Sequence, residues 1–189
     1  MVDTRASLLH AASTLLAAEG PEALTVRRIA AEAGVSTMGV YSRFGGKEGV
    51  IDALLRDGFQ ALADAMAAEP DSDEPVGDLR HCCTAYRAFA LANPTRYRIM
   101  FEGLVPGVEL SPESAAVAAR SFEVLVAKVR RCVDAGLLSG GDPHQIAASL
   151  WSVTHGLVSL ELGGHKPAVL SGDDPYERTV GAMVRGFSP

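Results

Sequence analysis

Leu24-Thr25-Val26-Arg27-Arg28-Ile29-Ala30-Ala31-Glu32-Ala33-Gly34-Val35-Ser36 and, three residues on, Val40-Tyr41-Ser42-Arg43-Phe44-Gly45-Gly46-Lys47-Glu48 decide the reading of this chain. Thr25 offers an N-cap oxygen to a short helix whose Val26, Ile29, Ala30 and Ala33 share a face. Gly34 closes it, because a sharp turn favours a residue tolerant of positive φ. Only Val35 separates that glycine from the next cap, Ser36. A second short helix then runs to about Phe44 and stops at Gly45-Gly46. Helix, tight turn, helix is the layout of a helix-turn-helix unit. Val35, Val40 and Phe44 are expected to point inward, which leaves Thr37, Met38, Tyr41, Ser42 and Arg43 on the outer face. A helix with such a face fits the width of a DNA major groove.

Outward from this unit the apolar spacing stays helical, and no period-2 alternation supports a strand. Leu8, Ala12 and Leu15 mark a first helix ended by Gly20-Pro21. Ile51, Leu55, Gly58, Leu62 and Met66 form the stripe of a fourth helix beginning at Lys47. After the polar connection Pro70–Pro75, a fifth helix carries Leu79, Cys83, Tyr86 and Ala90, and a short sixth spans about 95–103. Pro106, Gly107 and Pro112 read as a loop, and Phe122, Val126, Val129 and Val133 define a seventh helix. The eighth, about 143–162, shows two stripes: Ile146, Leu150, Val153 and Leu157, then Trp151, Val158 and Leu162 with His155. Tyr176, Val180, Met183, Val184 and Phe187 crowd a ninth. A helix apolar on two faces needs two covers. The expected architecture is therefore all-α, with about nine helices and a homodimer formed through helices 8 and 9. The helix-turn-helix domain is placed at residues 1–46 and a second domain at 47–189.

Composition narrows the function. The chain has 189 residues, 48% of them hydrophobic, which excludes wholesale disorder. No apolar run is long enough to span a membrane. Met1-Val2-Asp3-Thr4-Arg5 lacks the order of a signal peptide, and Cys82, Cys83 and Cys132 cannot form a paired framework. A cytoplasmic, reduced protein is expected. The net charge is −6, yet Arg27, Arg28, Arg43 and Lys47 against Glu32 make residues 25–47 +3, leaving −9 for the rest. A basic patch on an acidic body suits a modular phosphate binder.

The quoted stretches resemble the DNA-binding signature of the TetR family of repressors. Asn93-Pro94-Thr95-Arg96-Tyr97-Arg98-Ile99-Met100-Phe101, with Trp151 and His155-Gly156, looks like the subgroup with a Trp-His-Gly C-terminal domain. The resemblance implies a homodimer on a palindromic operator in double-stranded DNA, released when a small-molecule effector enters a pocket enclosed by helices 4–8. Position by position it places Thr25, Tyr41 and Lys47 on phosphates, Thr37, Met38, Ser42 and Arg43 near bases, and Arg27 at a base edge. Arg43 stands where His is commoner in the family. Physical chemistry adds Ser36, whose helix N-terminus favours an anion, and Arg28 as a further cation.

The effector is expected to be apolar or aromatic, against Tyr86, Phe89, Tyr97, Met100, Phe101, Phe122, Trp151 and His155. His155, inside an apolar stripe, needs a hydrogen-bond partner. His81-Cys82-Cys83 invites a metal reading, but adjacent helical cysteines diverge by about 100° and fit core filling better. No cofactor, metal site or catalytic constellation is expected. Rival readings are an enzyme on a helical scaffold, and a helical ligand-binding or protein-interaction module without DNA binding.

Overall fold

The computed structural model describes residues 3–68, 70–105, 107–165 and 175–189; Met1, Val2 and Pro106 lie outside the described residues. The described residues are all-α and carry nine α-helices and no strand. They are α1 (Thr4–Glu19), α2 (Val26–Glu32), α3 (Thr37–Phe44), α4 (Lys47–Ala67), α5 (Pro75–Ala92), α6 (Pro94–Phe101), α7 (Pro112–Asp134), α8 (Pro143–Leu162) and α9 (Pro175–Gly186). Proline opens each of the last five, a position where its missing N–H costs no helical hydrogen bond. This corrects the expected loop at Pro112, which is the first residue of a 23-residue helix. The sixth helix likewise begins at Pro94 and ends at Phe101, two residues short of expectation.

The helices fall into two compact units, Met1–Gln60 with Asn93–Ala118, and Ala61–Ala92 with Ala119–Pro189. In the first, α1 packs on α2 and α6, and α2 on α3. Its core holds Leu8, Leu15, Leu24, Ile29, Val40, Val50, Ile51 and Leu55. The start of α7 is tied to α4 by Ser111, which donates from its backbone N–H and its hydroxyl to the Asp52 carboxylate, each at 2.9 Å.

In the second unit α5, α8 and α9 pack on one another. Asp142 and Gln145 form a capping box at the start of α8. The buried residues of α8 are Ile146, Ala147, Leu150, Thr154 and Val158. Successive residues turn by about 100°, so Val158 closes this arc and does not belong to a separate stripe. Val153 lies at one edge of the arc and Leu157 within it, both half-buried, while Trp151, His155 and Leu162 lie beyond the other edge. The expected pair of stripes is thus one broad spine with two flanks.

Cys82, Cys83 and Cys132 are free and buried as small core fillers. Burial pushes the Cys82 thiol up to about 12, and raises Cys83 and Cys132 as well. Beside them Asp78, nearly buried, accepts from the Ser72 hydroxyl (2.7 Å), the Ser72 N–H (2.9 Å) and Arg131 (2.5 Å). These bonds, led by the Ser72 hydroxyl, hold its carboxyl far below the usual carboxylate range. A depressed folded pKa contributes stability that is complete above the unfolded value, about 4, and drains as pH falls through the folded one. Asp78→Asn is therefore expected to lower the thermal midpoint at pH 7, with the gap to wild type narrowing below pH 4. A gap independent of pH would remove the charge of Asp78 from the account.

Candidate nucleic-acid interface and C-terminal aromatic cluster

Local chemistry sets the helix-turn-helix. The Thr25 hydroxyl oxygen accepts from the Arg28 N–H at 3.2 Å and starts α2. Gly34, at φ +66°, makes the turn, and the Ser36 hydroxyl oxygen accepts from the Gly39 N–H at 3.4 Å to start α3. Gly45, left-handed, ends α3 with its N–H on the Tyr41 carbonyl. Val40 is fully buried, and Val35 and Phe44 are packed against the same core. The inward set is as expected.

Thr37, Met38, Tyr41, Ser42 and Arg43 are all exposed on α3, with Met38 at 70% and Tyr41 at 53%. Thr25, Arg27 and Ser36 are exposed too, and Lys47 is half-buried at the first turn of α4. Arg28 is exposed but engaged: its guanidinium makes a two-pronged pair with Glu19 on α1, at 2.8 and 2.5 Å. Sequence reading missed this pair, and also Arg5, which lies over the Phe44 ring (5.8 Å) and pairs with Asp57 at 3.6 Å. Arg5 thereby braces the end of α3 against α4.

The expected ligand residues separate into two groups. Tyr86, Phe122, Trp151 and His155 meet in the second unit. The Tyr86 hydroxyl and His155 Nδ1 are hydrogen-bonded at 3.1 Å, the Trp151 and His155 rings lie 5.5 Å apart, and Phe122 stands edge-on to Trp151 at 6.1 Å. The partner that His155 needs is the Tyr86 hydroxyl. Phe89 is buried on α5. Tyr97, Met100 and Phe101 belong to the first unit, where Tyr97 is fully buried and its ring lies 4.9 Å from that of Phe101. Met100 lies where α6 closes on Gly58: a Cβ at that glycine would come 2.7 Å from its sulfur.

One cavity of about 240 Å³ in the second unit is lined by residues including Met66, Asp78, His81, Cys82, Ala85 and Lys128. Another, of about 230 Å³ in the first unit, is lined largely by Ile51, Leu55, Ile99, Met100, Phe101 and Val108. Both fall below the roughly 300–1,000 Å³ of drug-sized ligand sites. Neither lining includes Trp151 or His155. Among the described residues no cluster of His, Cys, Asp or Glu is placed to hold a metal ion, and no helix is long and apolar enough to cross a membrane.

A helix-turn-helix with a bare second helix, followed by a helical body, defines the class. Residues 8–54 match the family described as bacterial regulatory proteins, tetR family, and residues 79–183 match the tetracyclin repressor-like C-terminal domain. The chain belongs to the TetR family. It is 30% identical over 105 residues to the HTH-type transcriptional regulator Rv1816 of Mycobacterium tuberculosis, a match covering 53% of this chain and 45% of that one. A solved protein of unknown function from Rhodococcus sp. RHA1 superposes with a TM-score of 0.83 at 28% identity, covering 100% of this chain and 97% of the other. A bacterial regulatory protein in the tetR family from Rhodococcus RHA1 shares the fold, with a TM-score of 0.72 at 23% identity and 100% and 98% coverage.

Proposed function

We propose that the protein is a DNA-binding transcriptional repressor. Two copies grip a palindromic operator with their helix-turn-helix heads, residues 1–46, and a small molecule bound in the body, residues 47–189, releases them. The observation that carries this reading is α3, which buries Val40 and exposes its opposite face, with Lys47 in the first turn of α4 just beyond its end. Thr25, Tyr41 and Lys47 are assigned to phosphates; Thr37, Met38, Ser42, Arg43 and Arg27 to the groove. Arg28, engaged by Glu19, holds α2 to α1 and contributes to DNA binding through the orientation of the head.

Dimerisation is assigned to α8 and α9. The outer side of α8 carries Ala148, Ser152, Gly156 and Leu160 at four-residue spacing, with Leu160 42% exposed. The Trp-His-Gly reading of the C-terminal domain rests on Trp151, His155 and Gly156 of the same helix. The effector is assigned to the aromatic cluster of Tyr86, Phe122, Trp151 and His155.

The test is a titration of an inverted repeat taken from upstream of the protein's own coding region, at several salt concentrations. Lys47→Ala should weaken binding to all sequences alike and flatten the salt slope by about 0.9 per lost phosphate contact, so about 1.8 for two heads. Tyr41→Phe should weaken binding without changing that slope. An unaltered slope for Lys47→Ala removes Lys47 from the interface.

A further inference from the structure

Met38 is the most exposed large apolar side chain among the described residues. The fold makes no use of it: Val40, Val35 and Phe44 hold α3 to the core. The next residue is Gly39, in ordinary helical conformation. A Cβ added there would meet only the Val35 side chain, at ordinary contact distances of 3.6 and 3.8 Å. Glycine weakens a helix interior, and neither backbone nor packing requires it at this position. An apolar, flexible tip thus stands beside a bare stretch of backbone, a surface suited to close approach by an apolar group.

The side chains of α3 narrow what that group is. Thr37–Phe44 contains no Asn or Gln to grip adenine and no Asp or Glu to accept from cytosine; Arg43 is its sole charged residue and the one fitted to guanine. The Ser42 hydroxyl already donates to the Gly39 carbonyl at 3.3 Å. The hydroxyls of Thr37 and Ser42 bond to any base alike, so α3 distinguishes an A·T pair through the apolar mark that the pair carries in the major groove, the thymine C5-methyl.

We infer that Met38, beside Gly39, packs on the C5-methyl of one thymine in each half-site and is the residue by which α3 selects A·T at that step. This rests on the DNA-binding reading and names the chemistry that the same helix recognises.

The test uses the full chain and an inverted repeat enriched from random duplexes. Each thymine is replaced in turn by deoxyuridine, which removes the methyl and nothing else. One methyl withdrawn from apolar contact should weaken wild-type binding about fourfold per half-site, so about fifteenfold in both. Met38→Ala should bind the thymine and uracil duplexes equally. Because Met38 is exposed, this variant keeps its fold. Gly39→Ala, whose methyl the fold accommodates, should also weaken binding. Wild-type indifference to uracil at every thymine overturns the inference. So does a Met38→Ala variant that keeps the full uracil penalty, and unchanged affinity in Gly39→Ala overturns the close approach. Enrichment of no repeat overturns the DNA-binding reading and this inference with it, which separates the two failures.

Discussion

Gly156→Glu should turn a dimer into a monomer and weaken binding to a palindromic operator by at least about a hundredfold, the scale on which two linked sites exceed one. The site is chosen because the protomer leaves it open: a Cβ at Gly156 meets nothing within 4 Å. Glutamate also favours helix more than glycine does, so the substitution strains nothing inside one chain. Its carboxylate would be buried against a second α8, where an unpaired charge is costly. Light scattering at micromolar concentration should give half the wild-type mass, while the helical circular dichroism signal is retained. Gly156→Ala is the control. It should remain dimeric, because the methyl is small enough for close helix contact, and it should gain up to about 1 kcal/mol from reduced backbone freedom. A dimeric Gly156→Glu variant would take the outer side of α8 out of the interface. A wild-type monomer would remove the two-headed reading altogether, because half-site symmetry in DNA mirrors symmetry in the protein.

What could be read in the sequence, and what could not, divides by the range of the interaction. Thr25, Gly34, Ser36 and Gly45 act within four residues of themselves, as caps and left-handed turns, and their chemistry appears in the local pattern. Val40 follows from the same register. The start of α7 is different. Ser114 to Ala119 carry little amphipathic contrast, and the anchor that holds them is Asp52, more than fifty residues earlier. Proline at 112 then looks like a loop when it is the first turn of a helix. The Tyr86–His155 bond, 69 residues apart, and the Arg28–Glu19 pair leave no trace in periodicity, because charge and hydrogen bonding pair across helices without a fixed spacing. The faces of α8 are illegible in the sequence for a related reason. Spacing reveals which residues share a stripe but not how wide an arc the neighbouring α5 and α9 cover. The aromatic residues of the body looked like one set in sequence; Tyr97 and Phe101 are instead packed with Phe59 in the first unit.

His155→Phe should abolish most of an effector's grip on operator affinity, a coupling typically worth about 5–150-fold. The reason lies in the cluster on α8. Trp151 and His155 are one turn apart, their rings 5.5 Å from each other, and Phe122 and the Tyr86 hydroxyl close two further sides. A planar compound bound at this cluster would contact aromatic rings and one hydrogen-bonded pair able to reorganise around a polar substituent. The chain contains one tryptophan, so any change in emission reports on Trp151 alone. A panel of planar aromatic compounds can therefore be screened by emission first, and those that respond tested for release of the operator. Reciprocity demands that operator DNA weaken the same compound's binding by the same factor. Phe at 155 keeps the ring volume but removes the nitrogen and leaves the Tyr86 hydroxyl without this partner, at a cost of about 1–3 kcal/mol if no water replaces it. Tyr86→Phe, which removes the hydroxyl from the other side, should blunt the response to a smaller degree. A compound that releases DNA with Trp151 emission untouched, and equally well from the His155→Phe variant, places the effector elsewhere. The cavity beside Met66, His81 and Lys128 is then the next candidate. Full response in His155→Phe to a compound that does change the emission would make His155 a core residue, satisfied by Tyr86 and without part in the switch.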